Sequence, residues 1–261
     1  MRIGFIQFAP VFGDKQKNFA EVSGLVRGIK ADLLVLPELF ATGYVFTSMD
    51  EVIDLSEGPG EETSEYVRKM AAATGAAIVA GFVERDYGKY YNSAMLADRG
   101  GVIASYRKLH LFSREKLWFS PGDKPLKVYE IKGVKIGMMV CFDWIFPETC
   151  RTLALQGAQV IAHPANLVLP WAQQAMTTRC IENHVFAVTA NRTGNEIRGP
   201  ESLTFTGMSQ VIGCKGEVLA AASSMESCCM IIEADPLKAL DKKITPDNDL
   251  FRDRRTDHYR L

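Results

Sequence analysis

Three side chains suited to covalent chemistry stand directly after apolar runs: Glu38 in Leu36-Pro37-Glu38, Lys108 in Tyr106-Arg107-Lys108-Leu109-His110, and Cys141 in Val140-Cys141-Phe142-Asp143. A thiol that loses its proton is a strong nucleophile. A carboxylate can take that proton, and an ammonium can face the charge that develops on an attacked carbonyl. In α/β proteins strand ends are where such groups are assembled, because the sheet fixes the backbone while loops shape the pocket.

Each of the three also has an ordinary structural reading. A cysteine at a strand end is commonly a small buried hydrophobe, which suits Cys150, Cys180 and Cys214. Cys141 leaves its strand just before a turn into a helix, where a side chain can be held exposed beside unpaired backbone N–H groups. Position alone leaves both readings of Cys141 open. Glu38 is either a loop carboxylate or, walled by Leu36, Leu39 and Phe40, a base of raised proton affinity. Strand alternation sends Arg107 and Lys108 to opposite faces, so one of them turns inward and needs an acidic partner or an anionic intermediate.

Periodicity places these residues on a framework. Arg2 to Phe8 alternates as a strand, and Asp14 caps a helix expected to run to about Ile29. Leu33 to Leu36, stopped by Pro37, is a strand buried on both faces; a helix from Glu62 to Thr74 stops at Gly75, and Ala76 to Phe82 is another strand. Asn92 to Ala97 and Val102 to Arg107 form a hairpin around Asp98-Arg99-Gly100-Gly101. Val134 to Val140 leads to Cys141, Pro147 and Glu148 open a helix that Gly157 closes, and Gln159 to Ala162 is a strand. Trp171 to Asn183 is a helix and Val185 to Ala190 a strand; Thr204 to Ile212 and Glu217 to Ala222 make a second hairpin.

Leu33-Leu34-Val35-Leu36-Pro37 echoes Gln159-Val160-Ile161-Ala162-His163-Pro164, and each is followed by a helix, a strand and a hairpin turning on a glycine. Two such halves would build two mixed sheets, each covered by helices on its outer face. No Gly/Ser/Pro linker interrupts the chain, so one domain over 1–261 is the simplest account, with 245–261 as a C-terminal tail.

The bulk composition excludes several classes. The 261 residues are 47% hydrophobic with a formal net charge of -1, enough for a large core and without the positive charge that nucleic-acid binding needs. No run approaches the roughly 18 consecutive apolar residues of a membrane span, and the start is too short and polar for a secretory signal. A cytoplasmic protein is the expectation. The six cysteines have no C-x-x-C spacing and the four histidines no helical ligand pairing, so neither a metal nor another cofactor is expected.

The three strand-end segments, Leu36-Pro37-Glu38-Leu39-Phe40, Tyr106 to Phe112, and Cys141-Phe142-Asp143-Trp144-Ile145-Phe146-Pro147-Glu148, occur in that order with Phe119-Ser120-Pro121-Gly122-Asp123 between the last two. In this the chain resembles the nitrilase superfamily of carbon–nitrogen hydrolases over essentially its whole length. The resemblance implies an α/β fold, the four-layer αββα sandwich with two mixed β-sheets, and a homodimer in which the C-terminal tail, with Phe251 and Tyr259 as anchors, reaches over the partner. It implies Cys141 as nucleophile, Glu38 as general base and Lys108, with the backbone N–H of Phe142, facing the tetrahedral intermediate. Glu115 matches a second glutamate that orients substrate or assists proton transfer. A thioester forms and ammonia or an amine leaves.

Phe142 and Asp143 after the cysteine resemble the amidase and carbamoylase branches more than the classical nitrilases, which carry Trp-Glu there. Trp144 and Ile145 replace the basic residues with which some carbamoylases grip a carboxylate, which points to a small, less charged amide or nitrile. Tyr44, Phe40, Trp118, Trp144 and Asn166 are pocket candidates, although each aromatic is as readily a core residue. A true nitrilase and a catalytically silent interaction module are the competing readings. A cysteine–histidine protease using His110 or His163 has no local signature to support it.

Overall fold

Apolar side chains on both faces of a strand demand cover on both sides. In β1 (Arg2–Gln7) Ile3 and Phe5 face one way and Ile6 the other, and all three are sealed from solvent. The same holds for β2 (Leu33–Val35), where Leu33 and Val35 oppose Leu34, and for β3 (Ala77–Asp86), where Ala77 and Val79 oppose Ile78. In the computed structural model, which describes residues 1–259, the second face packs against α1 (Lys15–Leu25) and α3 (Glu62–Thr74) through Phe19, Val22, Val67 and Met70. A short helix, α2 (Met49–Leu55), lies between them in the chain, capped by the Ser48 hydroxyl. The first sheet is completed by β4 (Lys89–Asp98) and β5 (Gly101–Arg107).

The second sheet repeats the plan. After α4 (Glu115–Trp118) come β6 (Val128–Ile131), β7 (Val134–Met138), α5 (Pro147–Leu155), β8 (Val160–Ala165), α6 (Ala172–Asn183) and β9 (Phe186–Asn191). A separate hairpin, β10 (Asn195–Arg198) with β11 (Glu201–Thr204), precedes β12 (Gln210–Ile212), β13 (Val218–Ala221) and β14 (Cys228–Glu233). The strand orders are β14-β1-β2-β3-β4-β5 and β13-β12-β9-β8-β7-β6. In each sheet three neighbouring strands run parallel, β1-β2-β3 and β7-β8-β9, and antiparallel strands flank them. The echo between Leu33–Pro37 and Gln159–Pro164 therefore falls on the two central parallel strands, β2 and β8. The inner faces meet through Ile3, Phe5, Val35 and Val79 from one sheet and Ile136, Met138, Val188 and Val211 from the other. With α5 and α6 outside the second sheet, this is the αββα sandwich.

Two expected elements differ. The first helix ends at Leu25 rather than near Ile29, because the chain turns at Gly28 with φ +74°; Val26 and Ile29 still pack beneath it. The strand expected from Thr204 to Ile212 is broken, since Gly207 at φ +58° and Met208 at φ +54° turn the chain between β11 and β12. In the tail, the Phe251 ring lies under Arg151 of α5 and Lys242 of the same chain, while Arg260 and Leu261 lie outside the described residues.

Candidate active site

The turn after β2 brings Glu38 inward only because β3 has a glycine beside it. A Cβ on Gly81 would stand 2.5 Å from Glu38 Cα and 2.6 Å from Leu39 N, both backbone atoms that cannot yield alone. The end of β5 is held in the same manner. Gly122 N donates to Lys108 O at 2.8 Å, and a Cβ on Gly122 would sit 2.2 Å from Arg107 O. Asp123 accepts from the Arg107 guanidinium at 2.8 Å. The Phe119-to-Asp123 segment is thus a clasp on the strand that carries Lys108. Of the adjacent basic pair, Arg107 binds Glu84 and Asp86, and Lys108 turns into the site.

Lys108 Nζ donates to Glu38 Oε1 and to Glu115 Oε1, each at 2.7 Å, and the lysine is fully buried. Glu38 Oε1 also accepts from Asn92 Nδ2 at 2.7 Å. Its other oxygen, Oε2, is buried without a hydrogen-bond partner. Glu115 accepts a further bond from the Tyr44 hydroxyl at 2.6 Å and one from Phe112 N at 3.2 Å. One cation among two carboxylates leaves this buried trio with an excess negative charge.

That arrangement sets the proton affinities. Burial pushes the Glu38 carboxyl up to about 6, against the opposing pull of the Lys108 ammonium; the nearby Glu115 charge adds to the rise. Burial alone would lower Lys108, but Glu115 and Glu38 together hold it well above the ordinary lysine range, so it stays charged. The Cys141 thiol is driven well above its ordinary value by burial first and by the Glu38 charge second; Lys108 and the Asn166 backbone N–H offset part of this. The resting sulfur is a thiol, and beside it is a carboxylate that titrates just below neutrality. Such a set can move a proton from sulfur to carboxylate as a bond to carbon forms.

Cys141 opens a short 3-10 turn, Cys141–Ile145, and adopts φ +42°, a left-handed backbone that an L-residue holds only under constraint. One constraint acts on its carbonyl. His163 Nε2 donates to Cys141 O at 2.9 Å while its Nδ1 faces the Thr189 hydroxyl at 3.1 Å. Burial lowers His163 to about 4, which keeps it neutral in this role. Asn166 Nδ2, at the end of β8, donates to Glu38 O at 2.9 Å and ties the two halves together. Neither histidine bonds the sulfur, since His110 Nδ1 donates to Asp143 Oδ1 at 2.7 Å.

The structure gathers Glu38, Lys108, Glu115 and Tyr44 into one hydrogen-bonded group. A narrow recess over Cys141, about 210 Å³ including its mouth, is lined by Phe112, Phe142, Trp144, Asn166, Leu167, Val168 and Leu169. Trp118 is elsewhere: with Tyr44 and Glu115 it borders a second recess, on the far side of Phe112. Phe40 packs in the core under α1 and α3 rather than in the recess. Asn92, His163 and the Leu167–Leu169 segment were not marked by the sequence as site residues. Only His163 carried a signal, as a histidine within a strand that echoes β2.

Residues 2–237 match the family model described as Carbon-nitrogen hydrolase. The chain belongs to the carbon–nitrogen hydrolase family. This hydrolase is 44% identical over 263 residues to a protein of Pyrococcus abyssi named Nitrilase, covering 99% of both chains. It superposes with a TM-score of 0.89 on a carbon–nitrogen hydrolase from Helicobacter pylori G27, at 27% identity over 99% of this chain and 97% of that one. A cysteine-to-alanine variant of the amidase from Nesterenkonia sp. AN1, solved with butyramide, gives a TM-score of 0.78 at 27% identity, covering 98% and 95%. The enzyme is thus a nitrilase-superfamily hydrolase of carbon–nitrogen bonds, a family of amidases and nitrilases.

Proposed function

We propose that this carbon–nitrogen hydrolase cleaves small, neutral aliphatic amides, with Cys141 as nucleophile, Glu38 as proton carrier, Lys108 as oxyanion partner and Glu115 as the group that holds Lys108 and orients substrate. The observation that carries the reading is Glu38 Oε2, a buried carboxylate oxygen left without a partner while its twin is held by Lys108 and Asn92. A buried acceptor left open at a reactive thiol is suited to receiving a proton.

The sulfur attacks the amide carbon as its proton passes to Glu38. The carbonyl π electrons move to oxygen, and the resulting oxyanion faces the Lys108 ammonium and the Phe142 backbone N–H. Glu38 returns the proton to nitrogen, the C–N bond breaks, and ammonia leaves behind a thioester. A water then gives its proton to Glu38 as it attacks, the C–S bond breaks, and the acid departs as the proton returns to sulfur. Phe112, Phe142, Trp144, Leu167, Val168 and Leu169 around the recess are uncharged, which favours a short apolar acyl group over a carboxylate-bearing one. A nitrile is the second reading, favoured by the 44% identity to the Pyrococcus abyssi protein. Ammonia release from matched pairs, such as propionamide and propionitrile, tests both; turnover of the nitrile alone would sink the amide assignment.

A homodimer accompanies this reading. Ile145 in the turn before α5, Leu155 at the end of α5 and Ile181 of α6 are 38%, 44% and 46% exposed, apolar side chains suited to cover by a second copy. Ile181→Asp would shift the mass measured by light scattering to that of one chain. No helix among the described residues is long and apolar enough to cross a membrane. The six cysteines are free thiols, which favours a reducing, cytoplasmic setting.

A further inference from the structure

We propose that Asp143 is the positioning residue that fixes Lys108 against Cys141. The inference rests on the pairing of those two residues in the reaction above. Lys108 follows β5 and Cys141 follows β7, strands of different sheets with no backbone ladder between them. Side chains must therefore set the distance across the gap.

The Asp143 carboxylate, with no solvent exposure, does this with four accepted hydrogen bonds. On the nucleophile's side, Val140 N donates to Oδ2 at 2.9 Å. On the lysine's side, the Tyr106 hydroxyl donates to Oδ2 at 2.7 Å, and His110 donates to Oδ1 from its backbone at 3.2 Å and from Nδ1 at 2.7 Å. Val140 immediately precedes Cys141, while Tyr106 and His110 bracket Lys108 by two residues on either side. One carboxyl group thus holds the residue before the nucleophile and both flanks of the lysine.

The geometry suits a carboxylate and no isostere. Each oxygen accepts twice, which an amide nitrogen cannot do. The His110 ring is further fixed by stacking on Phe146, with centroids 3.7 Å apart and planes at 15°. The Tyr106 hydroxyl also accepts from Leu109 N at 3.4 Å, which closes the loop around Lys108. Asp143 touches neither the recess over the sulfur nor the Glu38–Lys108–Glu115 group, so its effect on the reaction passes through backbone placement.

The test combines two variants with two readouts. In Asp143→Asn, kcat should fall about 100-fold while KM changes little, the scale on which a misplacement of about 1 Å acts. In Tyr106→Phe, which removes one of four donors and leaves the carboxylate, kcat should fall about tenfold. The second readout is alkylation of Cys141 by iodoacetamide near neutral pH, followed by mass spectrometry of the Cys141 peptide. Because Lys108 favours the thiolate, alkylation should slow in both variants in parallel with kcat. Alkylation needs no substrate, so it separates failure of this proposal from failure of the amide assignment. If Asp143→Asn does not fold, Tyr106→Phe decides. Unchanged or faster alkylation in folded Tyr106→Phe protein would overturn the role, as would a loss of activity that merely follows the unfolded fraction.

Discussion

Lys108 Nζ lies 2.7 Å from Glu38 Oε1, a fully buried ion pair between residues 70 apart in sequence. Its meaning depends on the third member, Glu115, at the same distance from the same nitrogen. The lysine cannot be removed without leaving two buried carboxylates facing one another. Lys108→Ala is expected to lower kcat by about 10²–10³, the usual cost of one lost oxyanion partner. It should also destabilise the fold by about 3–5 kcal/mol, the usual consequence of leaving a buried charge unpaired. Ammonia release and urea unfolding measure the two effects. A Lys108→Ala protein with unchanged kcat and unchanged unfolding free energy would contradict both.

The backbone of Cys141 makes a separate prediction. At φ +42° any residue with a Cβ is strained, and glycine is not. Cys141→Ala and Cys141→Gly should both be inactive, which tests the nucleophile. Between the two, the glycine variant should be the more stable by about 1 kcal/mol. Equal stabilities by denaturant titration would mean that the His163 and Asp143 contacts leave no strain to relieve.

Much of this was legible in the sequence, and the physical reason differs by residue. Glu38, Lys108 and Cys141 each follow an apolar run, so the end of the strand could be read and the reactive side chain with it. The echo of Leu33–Pro37 in Gln159–Pro164 gave the two-sheet plan because both stretches are central parallel strands, buried on both faces. Asn92 gave no sign of its bond to Glu38. It sits mid-strand in β4, and its partner is 54 residues away. β14 was equally silent. Cys228–Glu233 lacks alternation, and it becomes a strand by pairing with β1 at the other end of the chain. Local pattern reveals what a segment prefers, whereas these features are set by partners distant in sequence.

Glu38 imposes a pH dependence of definite sign. A carboxylate raised to about 6 is ionised above that pH and protonated below it. In its proposed role as acceptor of the thiol proton it must be ionised, so kcat/KM should rise with pH and reach half its plateau near 6. Glu38→Gln, which keeps the shape and cannot take the proton, should abolish both the rise and the activity. An acid limb unaltered by Glu38→Gln would assign that titration to another group.

His163 governs stability rather than rate at acid pH. Its value in the fold is about 4, lowered by burial from the ordinary 6.5. A histidine lowered in this way lends its stability in full above about 6.5 and loses it as pH falls toward 4, because the unfolded chain binds the proton first. The loss across that window is roughly 3 kcal/mol by the usual conversion of about 1.4 kcal/mol per unit. His163→Gln can still donate to the Cys141 carbonyl and does not titrate. Its unfolding free energy, measured by urea titration at several pH values, should therefore fall less steeply between pH 6.5 and 4 than that of the parent.

Gly81 offers the sharpest test that the Glu38 turn is placed by close packing. The Cβ of an alanine there would meet Glu38 Cα at 2.5 Å and Leu39 N at 2.6 Å, both far inside contact distance. The obstacle is backbone, so no rotamer change relieves it, and the turn must move away from β3. Two hydrogen bonds resist that motion, Phe40 N to Gly81 O at 3.3 Å and Gly81 N to Pro37 O at 3.2 Å. The movement also draws the Glu38 carboxylate away from Lys108 and Asn92. Gly81→Ala should therefore lose about 1–3 kcal/mol of stability, as overpacked sites do. It should also lose activity about 10²-fold, because a shift of about 1 Å at a reacting group is enough. The joint loss is diagnostic. A variant destabilised to this degree but fully active would show that Glu38 is not held by this contact.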